Sequence, residues 1–137
     1  MLEFIAARGS ASFLQTPAWA RVKSEWRGER VGFYDGDELT GVGLILYRKL
    51  PKLPRYLAYL PEGPVLDWSR DDIAEHFDAL VTHVKKRQAF AVRIGPAVVH
   101  RIWGTKTIKT AIADDNITSL TEVEPDVVTP EGEHVVS

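Results

Sequence analysis

The sequence predicts an α/β fold, a mixed sheet flanked by helices. Three observations point there. Apolar residues recur at helical spacing near the start of the chain and again after position 70. Short runs rich in Val, Ile, Leu and Tyr, bounded by Gly, Pro and Asp, read as strands. The resulting order is helix, strand, strand, strand, helix, strand, helix, with a hairpin-rich first half and a helix-connected last strand.

The first helix opens in "QTPAWARVKSEW": Thr16 suits the cap and Pro17 the first helical position, where no N–H is needed. Trp19, Val22, Lys23 and Trp26 share a helical spacing, and Gly28 is expected to end the helix. "RVGFYDGDELTGVGLILY" reads as a hairpin turning at Asp35-Gly36-Asp37. "RKLPKLPR" is a basic connection that its prolines keep from pairing as a central strand, and "YLAYL" is the third strand. In "DWSRDDIAEHFDALVTHVKKR", Ser69 and Asp72 form a capping pattern. Ile73, Phe77, Leu80, Val81 and Val84 make the apolar stripe of this helix. Acids crowd its start and Lys85, Lys86 and Arg87 its end, as the helix dipole favours. "AFAVRIG" is expected as a buried strand and "TKTIKTAIADD" as a shorter helix.

A chain of 137 residues suits one domain with a real core. It contains no cysteine, which excludes disulfides, thiolate metal sites and a cysteine nucleophile. No apolar run reaches the length of a membrane span, and the N-terminus lacks a signal-peptide pattern, so the expected location is the cytoplasm. Met1 to Ala113 carry 17 basic and 12 acidic side chains, whereas Asp114 to Ser137 carry seven acids and no Lys or Arg. The mildly basic body suits an anionic small partner and is too weak an excess to argue for nucleic acid.

The stretch "YLPEGPVLDW" interrupts an apolar run with a stiff turn. Pro61 fixes its own backbone, Gly63 permits conformations closed to other residues, and Pro64 restrains Gly63. Such a bend either presents backbone groups to a ligand or connects strand and helix. "FLQTPAWARVKSEW", "GVGLILYRKLPKLPRYLAYLPEGPVLDW" and "AVRIGPAVVHRIW", in this order and spacing, resemble the N-terminal part of the Fem family of peptidoglycan-precursor aminoacyltransferases, over roughly residues 12 to 115. The tryptophan-to-lysine helix paired with the Tyr-x-x-x-Gly-Pro-Val-x-Asp turn is the specific part of this likeness; either alone is weak.

The resemblance implies an acyltransferase-like (GNAT-like) subdomain over residues 1–115, followed by an acidic segment over 116–137, with the family's second subdomain absent. It implies an aminoacyltransferase that moves an amino acid from aminoacyl-tRNA to the stem peptide of lipid II or its soluble UDP-linked form. No cofactor is implied, and the lipid-linked precursor would bring peripheral contact with the inner membrane face. Lys23 takes the position of the family's diphosphate-binding lysine. Leu60, Pro61, Glu62, Gly63 and Pro64 would line the precursor cleft, and Arg93 would point into it. Two positions depart from the family: Glu62 stands where a basic residue is common, and Gly95 where some relatives carry aspartate. The family's remaining catalytic residues lie outside the likeness, so no general base is assigned.

Two alternatives stay open. One is a non-catalytic fragment that binds the precursor and turns nothing over. The other is a coenzyme A-dependent N-acetyltransferase, from the partial loop match "RIWGTK", in which Lys106 would crowd the backbone approach to a pyrophosphate. His76, His83, His100 and His134 lack metal-ligand spacing and read as surface residues. Asp67 reads as a turn or cap residue. Tyr56 and Tyr59 are expected on opposite sheet faces, and the four tryptophans as packing residues.

Overall fold

A computed structural model of the protein describes residues 1–8 and 11–129. The chain forms two compact units, the first over Met1–Ala97 and the second beginning at Val98.

In the first unit, a short helix α1 (Leu2–Ala6) and a 3-10 turn (Phe13–Gln15) precede helix α2 (Pro17–Val22). Four strands follow: β1 (Arg27–Asp35), β2 (Glu38–Lys49), β3 (Tyr56–Leu60) and, after helix α3 (Ile73–Lys86), β4 (Ala89–Ile94). They lie in the order β1-β2-β3-β4. The first three are antiparallel neighbours, and β4 runs parallel to β3 after the α3 crossover. This is the mixed, helix-flanked sheet the sequence predicts. The hairpin closes at the expected place, with Asp35 opposite Glu38 and Gly36 at φ +57°, a conformation glycine adopts without cost.

Strand β2 is central, and its apolar run follows from that. Val42, Leu44, Ile45, Leu46 and Tyr47 are all buried. Gly28 abuts Ala20 of α2, while the next residue, Glu29, meets Arg87 at the C-terminal cap of α3. Neighbours in a strand face opposite ways, so α2 and α3 cover opposite faces of the sheet.

Several expectations are corrected. The first helix ends at Val22, and Gly28 lies within β1 rather than at a helix end. Ser69 does not cap α3. Its hydroxyl bonds to Asp67, the helix begins at Ile73, and the Asp72 carboxylate is held by Arg70 at 2.5 and 2.7 Å. The strand "AFAVRI" is not buried: among the described residues β4 has one neighbour, and Phe90 and Arg93 are exposed. Helix α1 carried too short a periodic signal to be read from sequence. No helix among the described residues is long and apolar enough to cross a membrane.

Glu29 ties α3 to the sheet. Its carboxylate accepts from Tyr47 Oη at 2.7 Å and from Arg87 at 2.8 Å, and lies 3.2 Å from His83 Nε2. Burial alone would raise its pKa, but the hydrogen bonds from Arg87 and Tyr47 and the nearby His83 outweigh it and lower the pKa from 4.5 to about 2. Burial and the same carboxylate push the Tyr47 phenol well above its ordinary range. A depressed carboxylate stabilises the fold above its unfolded pKa, and that contribution is lost as pH falls through the folded value. Glu29→Gln should therefore lower stability at neutral pH by on the order of 2 kcal/mol. The gap from wild type should close between about pH 4.5 and about pH 2, a window measurable by urea unfolding at stepped pH. A gap that stays constant across that window would show that Glu29 is not held as described.

In the second unit, β5 (Arg101–Ile102) pairs antiparallel with β6 (Val127–Val128), and helix α4 (Thr105–Ile112) lies between them in sequence, as does a 3-10 turn at Leu120–Glu122. The two-residue strands β5 and β6 and that turn are too short to carry a readable pattern in the sequence.

Candidate functional site

The bend in "YLPEGPVLDW" interrupts a single line of pairing. Before it, Tyr59 pairs with Leu46 of β2. After it, Val65 resumes pairing with β2 by two bonds to Val42, at 2.9 and 3.0 Å. Residues 61–64 bulge out between these points, leaving Leu44 N–H and Pro61 C=O without ladder partners. Gln15 fills the gap. Its Oε1 accepts from Leu44 N at 2.8 Å, and its Nε2 donates to Pro61 O at 2.6 Å. A side-chain amide carries the same donor and acceptor as a peptide group, so Gln15, itself fully buried, stands in for the missing residue of the strand.

This seating changes the role of each bend residue. Leu60, Pro61 and Pro64 are fully buried, so their side chains belong to the core and only the shape of the turn faces outward. Gly63 does not use the left-handed conformation expected of it; in the bend that conformation belongs to Glu62, at φ +47°. Gly63 is required by close approach instead, since a Cβ there would stand 2.2 Å from Gln15 Cδ. The Gly63–Pro64 peptide is cis. Glu62 is the exposed point of the bend, and Ser12 Oγ donates to it at 2.5 Å.

Lys23 closes α2, one short helix beyond Gln15, with its Nζ 5.3 Å from the Trp19 ring centroid. Arg93 is exposed on β4, opposite Tyr59 of β3, and its guanidinium lies 5.7 Å over the Tyr59 ring. Trp26 meets the same tyrosine at 6.2 Å between centroids, and Arg48 lies 5.6 Å over Trp26. Lys23, Arg48 and Arg93 thus each rest on an aromatic ring. Arg48 was not singled out from sequence, because it sits at the edge of the proline-broken connection. In the structure β2 runs through it to Lys49. Tyr56 turns the other way and packs on Tyr47, so the two tyrosines do separate as expected.

The remaining candidates resolve into structural roles. His76 is buried rather than on the surface. It stacks on Phe33, its Nε2 lies 2.9 Å from Thr40 Oγ1 and its Nδ1 lies 3.2 Å from Asp72 O. No cluster able to hold a metal occurs among the described residues, and His134 lies outside them. Two hydrogen bonds from Ser69 hold the Asp67 carboxyl below its usual range and make it a turn residue. Trp68 is buried against Phe77. A cavity of about 600 Å³ lies between β1 and α3, with Phe33, His76 and Leu80 among its walls. Its Glu29 and Asp72 carboxylates are already engaged by arginines. In the loop "RIWGTK", Asp126 lies at the start of α4 and accepts from Gly104 N and from Thr107 Oγ1. A carboxylate thus stands beside the start of α4, where it would repel a pyrophosphate.

With this geometry in hand, comparison with known proteins is specific. The family model of the FemAB family matches residues 2–123. A lipid II:glycine glycyltransferase of Staphylococcus saprophyticus is 34% identical over 98 residues, covering 69% of this chain and 24% of that protein. The protein of the same name from Staphylococcus haemolyticus is 35% identical over 98 residues, covering 69% and 23%. The crystal structure of FemX superposes with a TM-score of 0.59 at 30% identity, over 81% of this chain and 28% of that one. The chain spans about a quarter of the length of these relatives.

Proposed function

The chain belongs to the FemAB family, and from that premise we propose that it is the precursor-binding part of an aminoacyltransferase of peptidoglycan synthesis. In this reading residues 1–115 form the first GNAT-like subdomain of such an enzyme. The acceptor is the stem peptide of lipid II or its UDP-linked form, the donor is aminoacyl-tRNA, and the reaction takes place on the cytoplasmic side of the membrane. The acceptor amine attacks the aminoacyl ester, a C–N bond forms as the ester C–O bond breaks, and the tRNA hydroxyl leaves with the proton. This chain's share is positioning. Lys23 holds the precursor's diphosphate as a point charge, Arg93 supports it, and the Leu60–Pro64 bend forms a wall whose exposed side chain is Glu62. Glu62, already tied to Ser12, is kept from swinging toward the phosphates it would repel.

One observation carries the reading: in the segment that matches the family, Arg48, Trp26, Tyr59 and Arg93 form one chain of ring contacts on the face that α2 covers, and Lys23 and Trp19 pair at the end of α2, a cationic and aromatic arrangement suited to a phosphate-bearing ligand. The non-catalytic form of the reading keeps these contacts and drops the transfer; single-turnover assay with charged tRNA separates the two. The Asp126 carboxylate beside the start of α4 argues against the coenzyme A alternative.

Titration of the chain with UDP-muramyl pentapeptide, followed by amide NMR, tests the proposal. Shifts should centre on Lys23, Tyr59 and Arg93. Lys23→Ala should weaken binding by about 10- to 100-fold, the worth of a charge-assisted hydrogen bond. A well-dispersed spectrum that ignores the ligand would overturn it.

A further inference from the structure

We propose that the end of the sheet opposite the Leu60–Pro64 bend is a docking surface for an anionic lipid bilayer. The topology gathers basic side chains there from three separate elements. Arg48 and Lys49 end β2, and Lys52 and Arg55 lie in the connection to β3. Lys85, Lys86 and Arg87 end α3, and Arg27 begins β1 opposite Tyr47. Backbone bonds hold these pieces together: Leu50 N donates to Arg55 O at 2.9 Å, and Tyr56 N to Gln88 O at 3.1 Å. All eight basic side chains are exposed. Glu29, half-buried beneath them, engages only Arg87 among the eight. The mild basic excess of the sequence is therefore concentrated in space, enough to be drawn to a negatively charged leaflet.

The choice of a bilayer over a nucleic acid rests on two features. Leu53 stands at the tip of the connection, between Pro51 and Pro54, and is 56% exposed. An exposed apolar side chain on the same short connection as Lys52 and Arg55 suits the interface between headgroups and acyl chains. The rings nearest the patch are not offered for base stacking: Tyr47 is buried, Arg27 lies over both Tyr47 and Tyr56, and Arg48 covers Trp26. Lys52, Lys86 and Leu53, the residues varied in the test, have no part in the precursor-binding reading, so failure of the docking proposal would leave that reading standing.

Co-sedimentation of the chain with phosphatidylcholine vesicles, with and without phosphatidylglycerol, tests it. Binding should require phosphatidylglycerol and fall with added salt. Each basic side chain near the surface is worth about a five-fold change in affinity, so Lys52→Gln combined with Lys86→Gln should weaken binding by about 25-fold. Among the described residues neither side chain has a hydrogen-bond or ion-pair partner, so the thermal transition should not move. Leu53→Ser should weaken vesicle binding while leaving binding to a short duplex RNA unchanged. Equal binding to neutral vesicles, or no effect of the lysine pair, would overturn the proposal. So would tighter binding to the RNA than to the vesicles with no response to Leu53→Ser, which would reassign the patch to nucleic acid.

Discussion

Gly63→Ala is expected to destabilise the chain by about 3–5 kcal/mol, the upper range for a single substitution. The new Cβ would stand 2.2 Å from Gln15 Cδ, 2.5 Å from Oε1 and 2.6 Å from Nε2. The end of a glutamine can normally move aside, but this one is fully buried and bonded at both its donor and its acceptor. Relief of the clash must break the bond to Leu44 N, the bond to Pro61 O, or both. Each leaves a buried backbone group unpaired, at about 1–3 kcal/mol apiece. Urea unfolding reads the loss directly. Amide NMR should confine the changes to the segments that Gln15 joins, around residues 12–16, 42–46 and 60–66. A loss below about 1 kcal/mol, the ordinary surface range, would mean that Gln15 does not seat the bend.

Gln15→Leu is expected to cost about 2–4 kcal/mol by a different route. Leucine nearly matches glutamine in volume, so packing survives, but the strand loses the side chain that stands in for its missing residue. The two effects share one cause and should not add. In a Gln15→Ala background the space beside position 63 is open, and Gly63→Ala should then cost less than it does in wild type by about 1–2 kcal/mol. Additivity in that cycle would show that the two positions do not touch. For the proposed function, this coupling means that the wall of the precursor cleft is set from the core side. Variants of Gln15, far along the chain from the bend, should disturb precursor binding even though Gln15 is too buried to meet a ligand.

Much of the architecture was legible because its signals are local. The Asp-Gly turn, the unbroken apolar run of β2, the proline-bounded third strand and the amphipathic α3 each carry their own pattern. The likeness to the Fem family was legible for the same reason, in short motifs that keep their order. Where the reading failed, the deciding fact was a neighbour distant in sequence. The run "AFAVRI" looks buried, yet among the described residues β4 has a strand on one side only. His76 looks like a surface residue, but the β1–β2 hairpin supplies Phe33 and Thr40 to cover it. Ser69 looks like a cap, but Asp67 takes its hydroxyl and Arg70 takes the carboxylate of Asp72.

The sequence by itself determined that a rigid Pro-Glu-Gly-Pro bend follows the third strand, that Trp19 and Lys23 belong to one helical stretch, and that the body is basic and the tail acidic. Proline geometry, glycine permissiveness and charge are properties of residues and their immediate neighbours. Only the tertiary structure decided what these features do. It placed Gln15 in the gap the bend leaves, 46 residues away along the chain. It brought Arg48, Trp26, Tyr59 and Arg93 onto one surface and gathered the lysines and arginines of three elements at one end of the sheet. Each of these is a pairing between distant segments, set by strand order and register, and no local pattern of residues encodes a register.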